Sequence, residues 1–353
     1  MSSSAADFDS LWSELGRHAL ATLTALAEPL AEPPGGCSPR EAVWREDRVV
    51  LYRYGAVRGV RALRAAPVLV CYALVNRPDI LDLEPDRSLI QRLLASGLEV
   101  YLIDWGRPQE SDRGLELTDY IERYLGGCVR HVLEAHEIGK LNLLGVCQGG
   151  TFSLCYCALH PQHIANLVTM VTPVDFKTPD DLLSMWARAL DLGSIRQLGN
   201  LPGSVLTGMF LALRPFRLMQ QKYVDVLGQA ADPAALKTFA RMERWIFDAP
   251  DQAALAFEQF VRWFYQENRL IEGTLRLGRR PVSLRRVRVP LLNIFALQDH
   301  IVPPDASRAL RTHVGSKDYT DLPVDTGHIG MYVSRTSVGS VPDRIASWLR
   351  ERS

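Results

Sequence analysis

The chain has 353 residues, 47% hydrophobic and 23% charged, with 40 basic residues against 40 acidic ones and a formal net charge of zero. That hydrophobicity without net charge excludes an intrinsically disordered chain, and the lack of a basic excess argues against a nucleic-acid partner. The length accommodates two ordinary domains, or one large α/β domain carrying an insertion.

In chain order, residues 1–48 read as an N-terminal helical arm. Leu11, Leu15, Leu20, Leu23 and Leu26 form an amphipathic stretch broken by Pro29, Pro33 and Pro34. Strands are then expected at 48–54, 67–74 (PVLVCYAL), 98–105 (LEVYLIDW), 140–146 and 164–171. The second is apolar throughout, as a strand covered on both faces should be. Helices are expected at 86–95, from Thr118 onward, where Ile121, Leu125, Cys128 and Val132 recur at helical spacing, and at 148–159. The rhythm stops near Val174. Residues 176–273 read as a helical lid, rich in Leu, Met and Trp and broken by Pro202, Pro215, Pro233 and Pro250. Alternation resumes with a strand at 290–297 (PLLNIFAL), a helix from Pro304, a strand at 319–322 and a last helix ending at Trp348 and Leu349. Strands alternating with helices imply a mostly parallel sheet. The expected organisation is an arm at 1–48, a catalytic core at 49–175 and 274–353, and the lid between its halves.

The six cysteines, Cys37, Cys71, Cys128, Cys147, Cys155 and Cys157, show no paired zinc spacing and are too few for a disulfide scaffold. No metal site is expected. The N-terminus lacks the basic and apolar regions of a secretory signal, and no apolar run reaches the roughly 18 residues of a membrane span. The expected compartment is the reducing cytoplasm, where a free thiol survives.

The sharpest motif is LLGVCQGG at 143–150. An apolar strand runs through Gly145, Val146, Cys147, Gln148 and Gly149 into a helix. This is the nucleophile-elbow pattern G-x-S-x-G with Cys in the nucleophile position. The sharp turn needs small residues two places to either side, which Gly145 and Gly149 supply. The helix points the positive end of its dipole at the thiol, and the Gln148 backbone N–H is placed as one oxyanion donor. A buried structural Cys at a strand–helix junction is the competing reading.

On the α/β-hydrolase pattern, an acid and then a His should follow on loops after late strands. Asp299 follows PLLNIFAL, and His328 follows the strand at 319–322, between Gly327 and Gly330. His300 is the rival base, but its neighbour Asp299 cannot face the same thiol from one strand end with it. A second oxyanion donor should come from the loop after PVLVCY, as the backbone N–H of Val75 or Asn76; an ordinary Asn–Arg–Pro turn is the alternative. Arg276, Arg279, Arg280, Arg285, Arg286 and Arg288 cluster where the lid rejoins the core. Arg suits phosphate recognition, so the cluster is a candidate contact for the phosphates of a ligand, although a solvated basic face is the simpler reading.

Taken together, PVLVCYALVNRPDILDLEPDRSLI, VYLIDWG, LNLLGVCQGGTFSLCY, VTPVDF, MERWIFDAPDQA, FYQENRLI, ALQDHIVPP and DTGHIGMYVS resemble the catalytic subunit of class III polyhydroxyalkanoate synthases over nearly the whole chain. The resemblance implies an α/β-hydrolase fold and polymerisation of (R)-3-hydroxyacyl-CoA, typically 3-hydroxybutyryl-CoA, with release of CoA. It implies Cys147 as nucleophile, Asp299 as acid and His328 as base. It also implies a PhaE-type second subunit, a growing polyester chain and residence on polymer granules, and a homodimer of catalytic subunits fits the same picture. No cofactor is implied, since CoA is a leaving group. A Cys acyl-enzyme is a thioester like the substrate, so loading is near thermoneutral and transfer to a hydroxyl runs downhill. Asp299 either orients His328 or helps deprotonate the incoming hydroxyl. Water must be excluded from the thioester, which would give Trp186, Trp245, Phe247, Trp263 and Phe264 of the lid a role beyond forming its own core. A Cys-dependent hydrolase (thioesterase, lactonase or depolymerase) would use the same three residues.

Overall fold

The computed structural model describes residues 35–61, 63, 65–179, 181–197, 199–214 and 232–353. The amphipathic part of the expected N-terminal arm lies outside the described residues. Eight strands form one sheet: β1 (Arg40–Glu46), β2 (Val49–Tyr54), β3 (Val68–Cys71), β4 (Val100–Asp104), β5 (Leu141–Val146), β6 (Ile164–Met170), β7 (Leu291–Ala296) and β8 (Tyr319–Val324). Their spatial order is β1-β2-β4-β3-β5-β6-β7-β8. β1 and β2 pair antiparallel, as do β2 and β4; every other neighbouring pair is parallel.

The central strands are buried at every position in β3, β5 and β7, which is why VLVC, LNLLGV and LLNIFA carry no alternation. Fully burying each such Val, Leu or Ile contributes roughly 1.5–3 kcal/mol. Register is fixed by side chains as well as by the backbone ladder. Asn166 Nδ2 donates to Asn142 Oδ1 at 2.8 Å, and Thr169 Oγ1 donates to Asn293 Oδ1 at 2.9 Å. These bonds satisfy polar groups that would be costly if left unpaired in the core.

β1 corrects the reading of 1–48 as helical. REAVWRE is charged and half exposed, an edge strand that periodicity does not distinguish from a polar arm. The stretch after Thr118 also differs. It is a π-helix over Asp119–Leu125 that continues as α-helix α1 (Gly126–Ala135).

The described residues belong to two compact units. Gly36–Gly203 with Pro250–Ser353 contains the sheet. The other includes Ser204–Ala249, in which helix Pro233–Phe247 starts at Asp232, whose Oδ1 accepts from the Ala234 and Ala235 N–H groups at 2.9 and 3.2 Å. Phe264, read from sequence as a lid residue, is fully buried in the main core of the sheet unit, while Phe247 is 60% exposed. Trp186 and Trp263 are half-buried.

Candidate active site

The parallel order reverses direction between β3 and β5, so the chains leaving these two strands diverge and open a crevice at their carboxyl ends. In sheets of this kind ligands bind at such a switch point. Cys147 sits there, directly after β5 and before helix α2 (Gln148–Leu159). Its φ of +53° and ψ of −127° fall outside the ordinary regions for an L-residue. Strain of this kind costs on the order of 1–3 kcal/mol and persists only where the surroundings impose it. The elbow is tied down by the Cys147 N–H to the Met170 carbonyl at 2.9 Å and by the Gly150 N–H to the Cys147 carbonyl at 2.9 Å. The two glycines have steric reasons. A Cβ on Gly149 would lie 2.1 Å from the Cys71 carbonyl oxygen and 2.5 Å from that of Tyr72. One on Gly145 would lie 2.5 Å from the Gly150 Cα.

The late loops converge as expected. Asp299 follows β7, and its Oδ1 accepts from the Ile301 and Val302 N–H groups, both at 2.9 Å. Its Oδ2 accepts from His328 Nδ1 at 2.7 Å. The Asp299 side chain is wholly inaccessible, and that of His328 is 5% exposed. Cys147 lies near enough to act on the His328 ring electrostatically. Burial, the largest influence, disfavours the imidazolium, but the charges of Asp299 and Cys147 and the hydrogen bond to Asp299 outweigh it and raise His328 to about 10. His328 is thus the ring that Asp299 holds.

The loop after β3 is held by the side chains of Trp105, Gln148 and Gln252, a role that no motif in the sequence marks. Trp105 Nε1 donates to the Tyr72 carbonyl at 2.9 Å. Gln148 Oε1 accepts from the Leu74 N–H at 2.9 Å, and Gln252 Nε2 donates to the Leu74 carbonyl at 2.9 Å. Leu74 is thus held at both its N–H and its carbonyl, and Val75 and Asn76 follow it in the chain. Tyr72, Tyr265 and Tyr332 complete the surroundings. Burial, reinforced by the nearby Cys147 among other groups, pushes all three hydroxyls well above their ordinary range.

The arginine cluster is engaged in local contacts. Arg276 and Arg280 are on a small hairpin, where Arg280 pairs with Glu122 at 2.8 Å and donates to the Leu159 carbonyl at 2.9 Å. Arg276 donates to the Arg279 carbonyl, and Arg285 to that of Val314 at 3.4 Å. Leu159 ends α2 and Cys147 precedes it; at about 1.5 Å per residue, 12 residues put Arg280 roughly 18 Å from the thiol. Among the other cysteines, Cys71, Cys128, Cys155 and Cys157 are buried, and burial pushes the Cys71 and Cys157 thiols up to about 12. Cys37 is exposed, with its sulfur 3.3 Å from Asp82 Oδ1.

The family model of the alpha/beta hydrolase fold matches residues 66–334. The chain is 53% identical over 318 residues to the poly(3-hydroxyalkanoate) polymerase subunit PhaC of Allochromatium vinosum, covering 90% of each protein. The chain belongs to the PhaC family. A second PhaC relative, from Synechocystis, is 47% identical over 90% of this chain and 85% of its own length. Among solved structures, the monoacylglycerol lipase of Paleococcus ferrophilus superposes with a TM-score of 0.51 at 17% identity, over 86% of this chain and 99% of the lipase. That likeness concerns the fold alone. As a PhaC family member, the chain carries a Cys where the elbow pattern of the hydrolases has Ser.

Proposed function

We propose that this chain is the catalytic subunit of a class III synthase that polymerises (R)-3-hydroxyacyl-CoA, typically 3-hydroxybutyryl-CoA, and releases CoA. The carrying observation is a cysteine at the elbow, paired with His328 and Asp299, in a chain 53% identical to a PhaC subunit. His328 takes the Cys147 proton, and the sulfur attacks the acyl thioester. The backbone N–H of Gln148, with that of Val75 or Asn76, stabilises the developing oxyanion. CoA leaves as a thiol, and the acyl group rests on Cys147 as a thioester. A hydroxyl then loses its proton to His328 and attacks this thioester; the C–S bond breaks and an ester forms. Both Asp299 oxygens are already engaged, which supports orientation of His328 as its role and leaves substrate deprotonation to the imidazole. The buried rings of Tyr72 and Tyr332, with the half-buried Tyr265, limit the access of water to the sulfur and so disfavour hydrolysis. A lid over 176–273, a PhaE-type second subunit, a homodimer and residence on polymer granules belong to the same proposal. No described helix is long and apolar enough to cross a membrane.

The test is the product made from 3-hydroxybutyryl-CoA, with and without the second subunit. Turbid polymer with stoichiometric CoA is expected, faster with the partner present. Free hydroxy acid as the sole product would make the chain a thioesterase instead.

A further inference from the structure

The Tyr332 hydroxyl lies 3.2 Å from His328 Nε2, the ring nitrogen opposite the one held by Asp299. We propose that Tyr332 is a positioning residue that holds the His328 ring during the half of the cycle in which Cys147 is acylated. This rests on the reading of Cys147 as the nucleophile.

In the free enzyme Asp299 holds the imidazole at Nδ1 and Tyr332 meets it at Nε2, while the nearby Cys147 acts on the ring electrostatically. Acylation converts the sulfur into a thioester, which has neither the proton nor the charge that engaged the ring. Asp299 alone then fixes one nitrogen and leaves the ring free to swing about that contact. A tyrosine hydroxyl can correct this because it both donates and accepts. It donates to Nε2 of the neutral ring until the incoming hydroxyl arrives, yields that nitrogen to the hydroxyl's proton, and then accepts from Nε2–H of the protonated ring. Burial, with the neighbouring Tyr72, Cys147 and Asp299, keeps the Tyr332 hydroxyl from ionising, so both modes stay available.

The side chain is placed rigidly enough for this. Tyr332 is fully buried on the short helix Gly330–Val333, directly after the His328 loop. Its ring meets His328 edge-on at 5.8 Å and 89°, and Tyr72 at 6.2 Å and 74°. Tyr332→Phe removes only the hydroxyl and preserves both ring contacts.

The experiment follows the two half-reactions separately by rapid quench, reading CoA release on loading and the decay of acyl-Cys147 on chain extension. In Tyr332→Phe, loading should stay within about twofold of the parent, while extension should fall by about tenfold, the loss of one hydrogen bond in the second step only. Unchanged extension, or equal falls in both steps, would overturn the proposal. A parent enzyme that carries no acyl group on Cys147 would overturn the nucleophile reading and this proposal with it. Acyl-Cys147 in the parent beside unchanged extension in the variant would overturn the proposal alone.

Discussion

At Gly149 there is no room for a single methyl group, because two main-chain oxygens of the neighbouring strand end occupy the space. Backbone cannot yield as a flexible side chain can. Gly149→Ala should therefore lower stability by about 2 kcal/mol or more, seen as an earlier midpoint in urea unfolding, and should lose CoA release as the elbow shifts. A midpoint equal to the parent's would contradict the packing described. His328 carries a second prediction. Its ordinary value of 6.5 rises to about 10 in the fold: burial opposes the charge, and Asp299 and Cys147 overcome it. A raised value contributes stability that is complete below 6.5 and is lost as pH climbs through about 10. Asp299→Asn removes one of the two charges that raise it. The imidazole resonance should then titrate at lower pH, and the alkaline loss of stability should shrink. The same variant should load Cys147 slowly and extend poorly, since His328 loses its orienting partner. Unchanged extension in Asp299→Asn would contradict the role given to the acid.

At the scale of elements, the loop after β3 is the part held by residues distant in sequence. Gln148 is 74 positions from Leu74, and Gln252 is 178 positions away. If this clamp places the oxyanion donors, Gln148→Ala should lower kcat by about ten- to a hundredfold with little change in KM. A rise in KM at constant kcat would assign the glutamine to ground-state binding instead. The Arg276–Arg280 hairpin leads to the opposite expectation. It sits at the far end of α2 and is engaged in local pairs. Arg276→Gln with Arg279→Gln should leave KM for the acyl-CoA within about twofold; a tenfold rise would restore the phosphate-contact reading of the cluster. The elbow and Asp299 were legible in the sequence because each follows a buried strand with a strong apolar signature, and His328 because it sits at a glycine-marked turn after a late strand, although that strand is only half-buried. The clamp and Tyr332 were not, since a glutamine or tyrosine that reaches across the fold leaves no local pattern. β1 was missed for a related reason, because a charged edge strand buries too little to show a period of two.

For the whole molecule, zero net charge first served only to exclude nucleic acid. It also suits an enzyme working beside an apolar polymer, where attraction to a charged surface has no part. The rhythm of strands and helices breaks off after β6 and resumes at β7, and these two strands, far apart in sequence, pair in parallel in the sheet. Sequence did not show how this break divides the chain. Residues up to Gly203 and from Pro250 group with the sheet unit, since helices such as Ala254–Phe260 bury their aromatics in its core. The central claim is that one thiol of six carries the growing chain. Enzyme quenched during turnover of 3-hydroxybutyryl-CoA, then digested and mapped by mass spectrometry, tests it directly. The account predicts a hydroxybutyryl adduct on the Cys147 peptide that disappears in Cys147→Ala together with CoA release. An adduct on any other residue, or CoA release that survives Cys147→Ala, would contradict it.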